Sequence, residues 1–178
     1  MPTAASSDHA AVLAEALAAV APGHFRADAD GKGVLTAWFT LDHSAHLLAV
    51  AALLRGMRAR LATITALAPR GAPPGEHLLA YHFDLGGDLL TVSVTMTTGA
   101  AIQSLVPLFR NADWNEREIA EMYGIAIEGQ PNPRRLFLDE SVGDGPLERL
   151  IPFSTLANAA STKALWEILL AARAGDQP

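Results

Sequence analysis

Residues 78–96 read LLAYHFDLGGDLLTVSVTM, and this stretch decides the fold class. Gly86-Gly87 is a two-residue connection of the kind that accepts the positive φ angles of a tight hairpin turn. Beyond it Leu90, Val92, Val94 and Met96 alternate with Thr91, Ser93 and Thr95. Successive side chains on a strand point to opposite faces, so the apolar set needs a cover and the hydroxyl set faces away from it. The Thr/Ser face can be read as solvated or as an interface, and the usual alternation of antiparallel sheets favours the solvated reading.

Working outward, Leu61–Leu67 (LATITAL) and Val34–Leu41 (VLTAWFTL) read as further strands from their β-branched and aromatic content. Gly31 and Gly33 mark a turn before the latter, and the proline- and glycine-rich segment Arg70–Gly75 marks a loop after the former. Between these strands Asp42 can cap a helix reaching to about Arg60, with Leu47, Val50, Leu54 and Met57 near helical spacing. Asp8 can cap an alanine-rich helix that runs through Val20 and is stopped by Pro22 and Gly23. Ala101–Phe109 reads as a short helical or turn segment interrupted by Pro107. The expected architecture is a single α+β domain, a mixed or antiparallel sheet of about four strands with helices on one face. The core spans residues 1–124, and an irregular Pro/Gly-rich arm, 125–178, ends in a short helix near Thr162–Arg173.

Composition excludes several functions. The chain of 178 residues carries a net charge of −6 from 13 basic and 19 acidic side chains, with no basic stripe, so nucleic-acid binding is not expected. With no cysteine it can form no disulfide and supply neither a thiolate ligand for an iron–sulfur cluster nor a cysteine nucleophile. The longest apolar stretch, Leu47–Leu54, is too short to span a bilayer, and the opening MPTAASSDHA lacks a charged region ahead of an apolar one.

The segment Asn111–Gly124, NADWNEREIAEMYG, forms a second focus. Asp113 and Glu116 have the spacing of a reciprocal cap at a helix start, and Gly124 suits a left-handed stop. On a helical wheel Ile119, Met122 and Tyr123 share one face, while Trp114, Arg117, Glu118 and Glu121 share the other, with Arg117 and Glu121 placed to pair. One reading is an ordinary amphipathic helix with a solvated charged face. The other takes Trp114 beside Arg117 as an interface anchor, since tryptophan and arginine are enriched at binding hot spots. Glu116 and Glu118 point to different faces and form no acid–base pair. His43 and His46 are three apart but lack a third ligand at suitable spacing; His77 and His82, five apart on a strand, lie on opposite faces. No phosphate-cradling glycine loop and no GxSxG elbow occurs.

Taken together, YHF (Tyr81–Phe83), SLVPLF (Ser104–Phe109), ADWNEREIAEMYGI (Ala112–Ile125) and EGQPNPRRLFL (Glu128–Leu138) resemble the 30 kDa subunit family of respiratory complex I. That family also occurs in energy-converting nickel–iron hydrogenases and formate hydrogenlyases. The resemblance covers roughly Phe25–Phe153, and its specific part is the Trp, Glu-Arg-Glu, Tyr-Gly-Ile series followed by Gly-x-Pro and Arg134. It implies a non-catalytic subunit of the hydrophilic arm of a membrane-associated oxidoreductase, peripheral on the cytoplasmic face of the inner (plasma) membrane. Such a subunit docks on a large catalytic subunit beside an iron–sulfur subunit. It holds no cofactor; the iron–sulfur clusters, and the nickel–iron centre or quinone site, belong to the partners. By the same resemblance Trp114, Arg117, Glu118, Glu121, Pro131, Arg134 and Arg135 form the docking surface.

The family usually has aspartate at the position of Glu121, histidine at that of Gln130, and a Pro-Leu-Arg-Lys-Asp-Phe-Pro-like ending where Pro146–Phe153 here reads PLERLIPF. These departures suggest a rebuilt partner contact and lean toward the hydrogenase-type complexes, with the equivalent 30 kDa component of a respiratory NADH:quinone oxidoreductase as the alternative. Two further readings are a stand-alone enzyme using Glu116 or Glu118 with a histidine such as His82, and a transient assembly factor.

Overall fold

The computed structural model describes residues 4–148, except positions 70, 74, 98 and 140–144. The chain runs α1 (Ala4–Ala18), β1 (Gly23–Ala29), β2 (Leu35–Leu41), α2 (Leu47–Gly56), β3 (Arg60–Leu67), β4 (Glu76–Asp84), β5 (Leu89–Thr97), β6 (Ala101–Gln103), α3 (Ala112–Tyr123) and β7 (Ala126–Glu128). A final 3-10 turn occupies Pro146–Glu148. The first five strands form one sheet in the order β1-β2-β5-β4-β3, and β6 and β7 form a second, two-stranded one. Only β2–β5 is parallel in the large sheet, which makes it mixed.

The β4–β5 hairpin lies in the register its alternation requires, from Glu76 opposite Thr97 to Asp84 opposite Leu89. Leu90, Val92, Val94 and Met96 face inward with Leu79, Tyr81 and Phe83 of β4 and Ala37 and Phe39 of β2. The cover comes from Leu13 and Leu17 of α1, Leu47, Val50, Ala51 and Leu54 of α2, and Ala112 and Ile119 of α3. On the opposite face Thr40, Thr65 and Thr95 are exposed, in keeping with the hydroxyl pattern. Thr91 is the exception, buried beneath the His82 ring, whose two nitrogens lie 3.0 and 3.1 Å from the hydroxyls of Thr91 and Thr65.

Several expectations are corrected. Asp8 lies inside α1 rather than at its start, and α1 ends at Ala18. Strand β1 carries no readable alternation, because His24, Arg26, Ala27 and Asp28 are all exposed, as an edge strand allows. Gly23 is needed there, because a Cβ would meet the Thr40 carbonyl at 2.5 Å. Asp42 does not cap α2, which begins at Leu47 after a 3-10 turn over Ser44–His46 and ends at Gly56, leaving Met57 exposed. Ala101–Gln103 is a strand paired in parallel with β7 at the head of the arm, too short to carry a readable period. The expected helix near Thr162–Arg173 lies outside the described residues.

Edge strand β3 is closed by α3. As an edge strand it has unpaired outward carbonyls, and Asn111 Nδ2 donates to Leu61 O at 2.7 Å while Tyr123 Oη donates to Ala66 O at 2.8 Å. Tyr123→Phe keeps the ring and removes this bond, so a urea unfolding series should show a loss of about 1 kcal/mol.

Candidate interaction site

Helix α3 begins without a side-chain cap: Asn111 occupies the capping position but spends its amide on β3. It ends at Gly124, whose φ of 65° lies in the left-handed region and whose N–H reaches Ala120 O, as the sequence indicates. Both expected side-chain pairings within the helix are replaced by contacts outside it. Glu116, 2% exposed, is no cap for Asp113; it accepts from Ser104 Oγ at 2.6 Å, the Leu105 N–H at 2.6 Å and Gln130 Nε2 at 2.9 Å.

Arg117 does not pair with Glu121. Its Nε and Nη2 each donate at 2.8 Å, to the carbonyls of Arg134 and Arg135, and Nη1 lies 3.6 Å from Asp113. Glu121, 4% exposed, accepts the N–H groups of Leu136, Phe137 and Leu138 at 3.1, 3.0 and 2.6 Å. The helix thus grips consecutive backbone units of the arm with matched charge: a guanidinium on two carbonyls, then a carboxylate on three N–H groups. Charge-assisted bonds of this kind are about twice as strong as neutral ones.

The two carboxylates titrate in opposite directions. Burial raises Glu116 above the usual carboxylate range against the pull of Ser104 and Leu105, and the nearby Asp113 adds to the rise. Burial would also raise Glu121, but the donated N–H groups of Leu138, Phe137 and Leu136, with Arg135, outweigh it and hold the group below that range.

What the clasp leaves outward is a small surface. Trp114, 62% exposed, and Phe137, 59% exposed, meet edge to face at 6.4 Å. Pro131, Arg134 and Glu118 are also exposed, and Arg135, half-buried, donates to the Asp139 carbonyl. Of the seven residues expected to dock a partner, Trp114, Glu118, Pro131 and Arg134 are exposed and Arg135 is half-buried, whereas Arg117 and Glu121 are turned inward to the arm. Gln130, where a rebuilt partner contact is expected, is half-buried and donates to Glu116. Phe137 is not among the expected docking residues, and its signal is an aromatic between Leu136 and Leu138 at the end of a polar, proline-containing stretch. A cleft of about 330 Å³ separates helix and arm beneath this surface, lined by Glu116, Ala120, Ile127, Gln130 and Pro133 among others.

Among the described residues no group of three or more His, Asp or Glu could hold a metal ion, and no helix is long and apolar enough to cross a membrane. The acid–base pairing of Glu116 with His82 does not form either: Glu116 is engaged in the arm node and His82 on the threonines of the other sheet face.

Comparison with known proteins agrees with this fold. Residues 42–155 match the family described as the respiratory-chain NADH dehydrogenase 30 kDa subunit. The chain belongs to that family. Among curated relatives, NAD(P)H-quinone oxidoreductase subunit J of Synechococcus sp. strain RCC307 is 38% identical over 86 residues, 43% of this chain and 49% of that protein. Subunit J of Prochlorococcus marinus strain NATL2A is 38% identical over 76 residues, 43% of this chain and 38% of that protein. The chain therefore spans half or less of the length of these relatives. Two solved structures share the fold. The trypsin-resistant fragment 1–134 of Nqo5 has a TM-score of 0.50 at 22% identity, covering 68% of this chain and 96% of the fragment. A chain of an archaeal respiratory membrane complex, the membrane-bound sulfane sulfur reductase, has a TM-score of 0.55 at 19% identity, covering 75% of this chain and 78% of that one.

Glu121→Ala should free the Leu136–Leu138 amides, with hydrogen exchange there faster by roughly thirtyfold, equivalent to about 2 kcal/mol of lost local stability. The pH dependence has a definite sign. Glu121 is lowered on folding, so its contribution is present above the unfolded carboxylate range and is lost as pH falls through its folded value. Protection factors at Leu136–Leu138 should hold through neutral pH and collapse in acid. Glu116 is raised, so its contribution is full at acid pH and declines as pH rises through its folded value. Global stability should show that decline in the wild type and lack it in Glu116→Gln.

Proposed function

We propose that this chain is a non-catalytic subunit of a complex I-like oxidoreductase, peripheral on the cytoplasmic side of the membrane, and that it docks on the large catalytic subunit. The observation that carries this reading is the Trp114–Phe137 pair: two large aromatic rings, mostly exposed, joined across a helix and a loop that are locked together beneath them. Exposed apolar side chains are common singly, but paired aromatics on a rigid platform have the composition of an interface core. Arg134 at their rim suits bidentate contacts to partner carboxylates. Redox centres and the iron–sulfur clusters would be contributed by partners, since this chain has no cysteine to hold them.

For the branch of the family, the quinone-linked reading is preferred over the hydrogenase-type one. The lean toward hydrogenases rests on Gln130 and on the PLERLIPF ending at Pro146–Phe153, and of these Gln130 binds Glu116 within the chain. The named relatives, both NAD(P)H-quinone oxidoreductase subunit J, support the same preference.

Arg117 is a poor residue for testing the interface, because its removal frees the arm. The informative variant is Trp114→Ala with Phe137→Ala. In pull-downs from the native membrane complex, its affinity for the large subunit should drop at least about thirtyfold, the loss of roughly 2 kcal/mol expected of a hot spot. Circular dichroism should show the domain unchanged. Undiminished co-purification with the large subunit would overturn the docking assignment.

A further inference from the structure

A second concavity, of about 730 Å³, opens at the N-terminal end of α3. Arg55 at the end of α2, Arg60 at the start of β3 and Arg110 before α3 line it, and Arg58 stands in the α2–β3 turn at a φ of 63°. Four of the chain's 13 basic side chains are thus gathered in one region of a molecule whose net charge is −6. Asp84 is the carboxylate lining this cleft, and it is already engaged: Arg60 Nε and Nη2 both donate to it, as does the Gly87 N–H.

Arg55, Arg58 and Arg110 make no ion pair with a carboxylate among the described residues. The Arg55 guanidinium lies 5.9 Å from the centre of the Phe109 ring, a position that orders it without neutralising it. The floor is apolar, built from Ala59, Leu61 and Phe109, all buried. The N-terminal end of α3 adds a partial positive charge to the same rim.

We infer that this cleft docks an acidic segment of a partner polypeptide, one whose carboxylates flank an apolar side chain. The charge selects an anion, and planar guanidinium groups match carboxylates in paired hydrogen bonds. The apolar floor beneath the rim selects against free phosphate, which has nothing to place there. A concave, recessed floor also fits a protruding side chain better than the plane of a bilayer surface. This contact is separate from the Trp114–Phe137 surface and does not depend on it.

The test uses the full chain and a fluorescein-labelled peptide, Glu-Glu-Leu-Glu-Glu-Phe-Glu-Glu. The triple variant Arg55→Gln, Arg58→Gln, Arg110→Gln should bind it about tenfold more weakly, the sum expected of three exposed charge pairs. These side chains are exposed, so the thermal midpoint serves as the control for folding. Ala62→Asp, a single change at an exposed position lining the cleft, should weaken binding in the same direction. Trp114→Ala with Phe137→Ala should leave it unchanged, which separates this proposal from the docking surface above. Equal affinity of wild type and triple variant would overturn it. So would arginine-dependent binding to phosphatidylglycerol vesicles in the absence of peptide binding, since that would assign the cleft to lipid.

Discussion

Two carboxylates on one helix organise everything that follows the sheet. A buried carboxylate is tolerated only where donors surround it, and the donors here come from chain segments that could not otherwise be held. Glu116 ties the loop at Ser104–Leu105 to Gln130. Glu121 fixes Leu136–Leu138, and Arg117 between them takes the carbonyls of Arg134 and Arg135. A loop with Pro131 and Pro133 has few backbone hydrogen bonds of its own to make. Its conformation is therefore set from outside, by α3, and α3 is in turn seated on β3 through Asn111, Tyr123 and the apolar contact of Ile119.

The main sheet was legible because each of its central strands carries a period of two over enough residues to be seen. Leu90 to Met96 and the Gly86-Gly87 turn fix a register by themselves, since a one-residue slip would expose the whole apolar set. The elements missed were those without such a signal: β1, whose polar residues suit an edge, and β6 and β7, three residues each. Capping residues were misplaced for a related reason. Asp8, Asp42 and Asp113 are all plausible caps by local chemistry, yet the boundaries are set by where Leu13, Leu47 and Ala112 enter the core.

The helix Ala112–Tyr123 is legible in the sequence, but the orientation of its charged side chains is not. A helical wheel assigns charged residues to water, because charge normally goes there. Glu116 and Glu121 are engaged by partners 11 to 17 residues away along the chain, which no local pattern announces. The wheel accordingly groups Arg117 and Glu121 with Trp114 on the outward face, whereas both are turned to the arm, and Gln130, where the resemblance suggests a rebuilt partner contact, donates to Glu116. Trp114 is exposed, as the wheel places it, and a large aromatic among charges is anomalous under any rotation of the wheel. Gln130 also has a local consequence. A neutral amide donates to Glu116 without supplying positive charge, so burial is not offset by a cation and the carboxyl stays raised.

Why a polar clasp rather than an apolar one holds the arm follows from what each kind of contact specifies. Apolar packing stabilises any arrangement that removes similar area from water, and a short loop could slide along α3 at little cost. The alternation of Arg117 on carbonyls and Glu121 on N–H groups admits one alignment, because shifting the arm by one residue would set carboxylate against carbonyl or leave buried charge unpaired. The net stabilisation is modest, since desolvation offsets much of the attraction. The return is geometric: Phe137 is held against Trp114, and two rings from different segments become one surface of fixed shape. On the docking role proposed above, a chain with no cysteine and no metal cluster among its described residues would position a redox partner through that surface alone, provided it does not move.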